Sequence, residues 1–152
     1  MSVPTGDQTG GGSSVHRYEC HIRFSDVDVY GHVNNVKYFE YYQEARIAFI
    51  QSLDEPLLDP SAESTLRQVV ARIDVDYKRP ILFRPEAYAV ETWVTGIGTS
   101  SYDLGCRITG GGSDDTVYST AQVRLVAFDL AGQRSRPLTD TERGRLEAVL
   151  EP

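Results

Sequence analysis

The chain has 152 residues, 40% of them hydrophobic and 24% charged, the profile of one globular domain and of neither a disordered polymer nor a two-domain protein. A domain of this size removes roughly 70% of its unfolded surface from water, so no disulfide or metal is required to hold it together. Lys and Arg total 15 against 22 Asp and Glu, a net charge of −7, which excludes a duplex-binding protein because phosphate neutralisation demands clustered cations.

Residues 1–14 (ending GDQTGGGSS) hold almost nothing to bury and read as a flexible leader, with a single domain over 15–152. Neither a positive patch followed by an apolar run nor a stretch of about 18 apolar residues occurs, so the expectation is a cytoplasmic protein without membrane contact. Val15 to Phe24 alternates and predicts a first strand, and the polar run Ser25 to Gly31 ends it. From Asn34 to Ser52 the residues Tyr38, Tyr41, Tyr42, Ala45, Ala48 and Phe49 recur at three and four spacing and predict a helix. Val36, Phe39, Ile47 and Ile50 add apolar groups on its other faces, so the helix is expected to be buried on most sides.

LDEPLLDPSAEST, residues 53–65, reads as a surface connection. Val69–Tyr77, Ala87–Val94, Ser101–Ile108 and Val117–Phe128 are four β-rich runs, separated by Gly- or Pro-containing links too short for parallel crossovers. Thr139-Asp-Thr-Glu142 fits a capping box for a terminal helix running towards Leu150. The order predicts an α+β fold with a five-stranded antiparallel sheet curled around a long central helix. Exposed sheet edges around a half-wrapped helix predict pairing with further copies of the chain, as a homodimer or homotetramer.

Cys20 and Cys106 form no disulfide framework and lie in no zinc-type spacing; both are expected to be reduced thiols. Cys20 and His21 are neighbours on a strand and so point to opposite faces. The dense polar cluster is Ser25-Asp-Val-Asp-Val-Tyr-Gly-His-Val-Asn-Asn35, between the first strand and the helix. Free N–H groups and the positive dipole end at a helix N-terminus polarise a carbonyl oxygen, and a carboxylate beside that point serves as general base or nucleophile. A purely structural reading stays open: Asp26 and Asp28 as turn and cap residues, Gly31 at positive φ, Asn34 as N-cap and His32 as a satisfied histidine. The loop lacks the oxygen ligands of a calcium-binding hand and a second imidazole or thiol for zinc, so no metal is expected.

The string R-F-S-D-V-D-V-Y-G-H-V-N-N-V-K-Y from Arg23 to Tyr38, followed by Tyr42, Ala45 and Arg46, resembles the signature of the 4-hydroxybenzoyl-CoA thioesterase branch of the hotdog-fold superfamily. It is also similar to the D-x-D-V-x-x-H-V-N-N-V-K-Y wording of plant acyl-ACP thioesterases. The Y-K-R-P turn at Tyr77 to Pro80, the G-x-S-S step at Gly98 to Ser101 and the R-P-L ending at Arg136 to Leu138 agree as well. The resemblance implies hydrolysis of an acyl thioester, carried by CoA or by an acyl-carrier protein, to a carboxylic acid and free thiol without a cofactor.

Residue by residue, it implies Asp28 as the carboxylate that attacks the thioester or activates water, His32 as its assistant and the Asn35 backbone N–H as oxyanion donor. Gly31, Tyr38 and Tyr42 are implied at the acyl site, with Phe39 and Tyr41 as further pocket candidates, and Ser100 and Ser101 on the pantetheine arm. Arg79, Arg84, Arg134 and Arg136 are the cations left for phosphate. Tyr30 stands where the plant pattern has a catalytic Asn, and Asn35 where some bacterial members place a histidine. Asp26 is read as a structural acid that caps the loop. The competing expectation is a non-hydrolytic acyl-thioester binding module of the same fold; a hotdog dehydratase fits the segment least.

Overall fold

The computed structural model describes residues 14–53 and 66–151. The expected leader, Ser14 aside, and the expected connection after Leu53 lie outside the described residues. The elements run β1 (His16–Cys20), a single 3-10 turn (Phe24–Asp26), α1 (Lys37–Ser52), β2 (Leu66–Tyr77), β3 (Tyr88–Ile97), β4 (Ser101–Gly111), β5 (Asp114–Asp129), β6 (Arg134–Ser135) and α2 (Asp140–Ala148). The sheet order is β1-β3-β4-β5-β2 with every strand pair antiparallel, and β6 pairs the end of β5. The sheet therefore has six strands where five are expected: a turn with Gln133 at φ 52° folds the chain back on β5 for two residues.

Strand alternation selects the face that covers α1. Tyr88, Val90, Thr92 and Val94 of β3, Tyr102, Leu104, Cys106 and Ile108 of β4, and Ser119, Ala121, Val123, Leu125 and Ala127 of β5 are buried on it. Tyr42, fully buried on α1, crosses to this face and donates its hydroxyl to Ser119 Oγ at 2.7 Å, while Ser119 Oγ donates to the Asp76 carbonyl at 2.8 Å. On the opposite face Trp93 lies over Gly105, where a Cβ would come within 2.6 Å of the indole. At the C-terminus the expected capping box is present: Glu142 N donates to Thr139 Oγ1 at 3.1 Å and Thr139 N to Glu142 Oε1 at 2.9 Å.

Three further sequence expectations are corrected: the end of the first strand, and the start and the burial of the central helix. The first strand stops at Cys20 rather than Phe24, because Ile22 turns inward and Phe24–Asp26 coil into a 3-10 turn whose Asp26 carboxylate accepts from Arg23 N at 3.1 Å. The central helix starts at Lys37 rather than Asn34 and buries one face only. Asn34 Oδ1 accepts from Val36 N at 3.0 Å, which consumes a turn ahead of the helix. Tyr38, Tyr41, Tyr42, Ala45, Phe49 and Ile50 are buried, but Phe39 is 41% exposed and Glu40, Gln43 and Glu44 face out, since a single sheet covers a single side.

Candidate active site

The segment between the 3-10 turn and α1 folds as a minimal hairpin. Val27 bridges Val33, Asp28 N donates to the His32 carbonyl at 2.8 Å, and Gly31 N donates to the Asp28 carbonyl at 3.0 Å. Gly31 closes the turn at φ 79°, a left-handed conformation in which any Cβ adds strain. Asp28 Oδ1 accepts from Tyr30 N at 2.8 Å and from His32 N at 3.4 Å, so the carboxylate is oriented by its own turn. Its Oδ2 and the His32 ring have no protein partner among the described residues.

The hairpin is tied to the segment after β2 by an antiparallel bridge of His32 with Leu82, in which Val33 N donates to the Ile81 carbonyl at 2.9 Å. Asn34 N donates to the Asp26 carbonyl at 2.8 Å and Lys37 N to the Asn34 carbonyl at 2.9 Å, leading into α1. Asp28, His32, Asn35 and Tyr38 together line a groove of about 370 Å³, whose far wall is Tyr77 to Pro80. The Asn35 N–H at this helix start is donated to none of the described residues. Among the described residues the groove thus brings together a carboxylate with one oxygen unpartnered and a backbone donor without an acceptor, groups of the kind that general-base and oxyanion chemistry use.

Asp26 takes a different place from Asp28. It is 1% exposed, and its Oδ2 accepts from Arg23 N and, at 2.7 Å, from the Tyr41 hydroxyl. Burial, and then this hydrogen bond, push the Tyr41 hydroxyl far above its usual range, so it stays protonated as a donor. The structural role expected for Asp26 matches this geometry, and Tyr41 is its partner rather than a groove residue. Burial likewise pushes the Cys20 thiol up to about 12 and the Cys106 thiol up to about 11, which leaves neither as a nucleophile near neutral pH.

Other expected site residues lie elsewhere. Tyr42 is in the core with its hydroxyl on Ser119. Ser100 and Ser101 sit at the opposite end of the sheet from Asp28: Ala127 N donates to the Ser100 carbonyl at 2.8 Å and Gly98 N to the Ser101 carbonyl at 2.7 Å. Arg84 is engaged by the Glu86, Ala87 and Gly110 carbonyls and stacks 3.8 Å over the Tyr88 ring. Arg136 forks onto Glu142 at 2.6 and 3.1 Å. Arg134 lies in β6, away from the groove, and Arg79 remains on its wall. Among the described residues no three His, Cys, Asp or Glu side chains converge as a cation site, and no helix is long and apolar enough to cross a membrane.

Sequence reasoning missed Tyr77 and Lys78 as groove residues. Tyr77 donates its hydroxyl to the Asn35 carbonyl at 2.9 Å and stacks edge-on to Tyr38, with ring centroids 4.8 Å apart. The one local signal was the Y-K-R-P turn; its meeting with the helix start spans 42 positions and depends on the pairing of β2 with β5.

An antiparallel sheet laid along a single helix, with a carboxylate turn at the start of that helix, is the architecture of the hotdog-fold thioesterases. Residues 22–146 match the model of the thioesterase-like superfamily, and the chain belongs to that family. It is 33% identical to a thioesterase from Thermus thermophilus solved with coenzyme A and zinc, covering 94% of this chain and 100% of that one at a TM-score of 0.72. It is 32% identical over 125 residues to YsmA of Bacillus subtilis (strain 168), covering 82% of this chain and 80% of that protein. It is 26% identical over 129 residues to the long-chain acyl-CoA thioesterase FadM of Escherichia coli (strain K12), covering 85% and 95%. Family and relatives together support thioester hydrolysis as the chain's general chemistry.

Proposed function

We propose that this chain hydrolyses acyl-CoA thioesters to a carboxylic acid and free CoA in the groove between the Asp28 turn and α1, with acyl-carrier protein as a second carrier to be tried. The observation that carries the reading is that Asp28 Oδ2 and the Asn35 N–H, on one groove, have no partner among the described residues. Asp28 either takes a proton from a water that attacks the thioester carbonyl, or attacks that carbonyl itself to give a mixed anhydride that water then cleaves. On both routes the C–S bond breaks and CoA leaves as the thiolate, and the Asn35 N–H and the helix dipole oppose the charge on the carbonyl oxygen, an effect worth roughly 3 kcal/mol for one well-placed donor. His32, whose main-chain N–H donates to Asp28 Oδ1 and which lines the same groove, assists by positioning the carboxylate or the water. Arg79 and Lys78 on the far wall supply positive charge for the CoA phosphates. The CoA-bound relative from T. thermophilus supports this choice of carrier.

The test is free-thiol release from short, medium, long and aromatic acyl-CoAs, comparing wild type with Asp28→Asn. Loss of at least about a hundredfold in turnover, with folding retained, is expected; near-normal turnover in Asp28→Asn refutes the assignment. Calorimetric binding of acyl-CoA without any turnover would instead identify a non-hydrolytic binding module.

The site is proposed to work in a homodimer joined through β2. This 12-residue strand is a sheet edge with Val69 and Val70 exposed by 41% and 44%. Its Leu66 end lies beside the β3–β4 turn and its Tyr77 end beside the Asp28 loop, as the registers Leu66↔Asp129, Ser101↔Val126 and Tyr77↔Ser119 require. Antiparallel pairing of two β2 edges carries the Ser100–Ser101 turn of the second copy to the end of the joined sheet that holds this chain's Asp28. Ser100 and Ser101 would then meet the pantetheine arm from across the dimer. Sedimentation equilibrium should return at least twice the chain mass of 16.9 kDa; a monomer at micromolar concentration refutes the pairing.

A further inference from the structure

Among the described residues, the backbone around the Asn35 N–H, which has no acceptor there, is held mostly by residues close in sequence. The Asn34 carbonyl, on the same peptide plane, accepts from Lys37 N at 2.9 Å, and Val36 N, on the next plane, donates to Asn34 Oδ1 at 3.0 Å. Among the described residues, one hydrogen bond reaches the Asn35–Val36 plane from a strand. Tyr77, the last residue of β2, donates its hydroxyl to the Asn35 carbonyl at 2.9 Å, so the Asn35–Val36 plane is held at both ends.

Tyr77 is itself on a rigid mount. It faces Ser119 in the β2–β5 ladder, and the next two amides, Lys78 N and Arg79 N, both donate to the Tyr118 carbonyl, at 2.9 and 3.1 Å. Its ring rests edge-on against buried Tyr38, whose hydroxyl accepts from Ile81 N at 3.3 Å. The Tyr77 side chain is 46% exposed, so burial alone does not explain a tyrosine here; the hydroxyl has a defined acceptor at the point where the helix begins.

We propose that Tyr77 is a positioning residue for the oxyanion donor: through the Asn35 carbonyl its hydroxyl fixes the peptide run that presents the Asn35 N–H to the thioester oxygen. The inference rests on the hydrolytic reading above and deepens it. A donor at a reacting oxygen acts fully only at the right distance and angle, and a displacement of an ångström near the reacting atoms costs up to about a hundredfold in rate. The ring and the hydroxyl have separable roles, the ring packing on Tyr38 and the hydroxyl holding the backbone.

Tyr77→Phe separates them. Turnover of the best acyl-CoA should fall roughly tenfold to a hundredfold, with KM within about twofold and the melting temperature within about 2 °C of wild type. In parallel, amide hydrogen exchange should show the Val36 N–H exchanging about tenfold faster, because its peptide plane has lost one of two anchors. Wild-type kcat in Tyr77→Phe overturns the proposal even when Asp28→Asn is inactive. So does a fall in kcat that merely tracks a fall in melting temperature. If wild type releases thiol from no acyl-CoA, the hydrolytic reading fails, and the exchange measurement still decides the tether: unchanged Val36 exchange in Tyr77→Phe overturns it.

Discussion

Replacing Asp26 by Ala tests whether the two acids of the D-x-D pair divide fold from chemistry. The Asp26 carboxylate is buried and accepts two hydrogen bonds, from Arg23 N at 3.1 Å and from Tyr41 Oη at 2.7 Å. A hydrogen bond to a charged group contributes roughly 1.5–3 kcal/mol, so two are worth roughly 3–6 kcal/mol before the relief of desolvating a carboxylate is subtracted. The net expectation is a loss of about 3 kcal/mol, which for a chain of this size is a fall of roughly 6–12 °C in melting temperature. Alanine also leaves the hydroxyl of buried Tyr41 without an acceptor.

Urea unfolding followed by tryptophan fluorescence reads the stability, with Trp93 as the single indole. Tyr41→Phe removes one of the two bonds and should cost about half as much, with a double mutant well short of the sum because the two changes delete the same contact. Asp28→Asn, on an exposed turn, should stay within about 0.5 kcal/mol of wild type. An Asp26→Ala protein within about 1 kcal/mol of wild type would refute the reasoning, because a buried acid with two donors would then contribute nothing measurable.

Two further outcomes are expected. His32→Ala should lower turnover by less than Asp28→Asn, since the imidazole assists a carboxylate already oriented by Tyr30 N; a folded His32→Ala protein as inactive as Asp28→Asn would make the imidazole primary. His16 is half-buried against Phe49, its Nδ1 has no partner among the described residues, and burial holds its pKa below the ordinary 6.5. The unfolded chain therefore takes up a proton near pH 6.5 that the folded chain refuses, so this group's share of stability is complete above pH 6.5 and is lost as pH falls through the folded value. Thermal melts from pH 8 to 5 should show that decline in wild type, and a His16→Phe variant should show a smaller one; identical slopes would remove His16 as its source.

Patterns written between sequence neighbours came through to the structure. The four β-rich runs of the second half became β2 to β5, and Thr139 with Glu142 closed its capping box, because alternation and capping depend on residues a few positions apart. The Asp28-to-Asn35 segment reads as the candidate site from its density of polar side chains, and its turn is held largely by its own side chains and amides. Tertiary contacts decided the rest. Tyr42 reads from the sequence as a candidate for the acyl site, yet its hydroxyl meets Ser119, 77 positions away, and seals the core. Of four candidate phosphate cations, Arg84 and Arg136 are claimed by carbonyls and by Glu142, contacts that composition does not encode. Tyr77 reached Asn35, and Ser100 was carried to the far end of the sheet from Asp28, through strand registers set between distant segments. Local chemistry specified the turn and the helix that follow one another along the chain; long-range pairing specified which distant side chains stand around them, because registry between strands is chosen by the whole buried face at once.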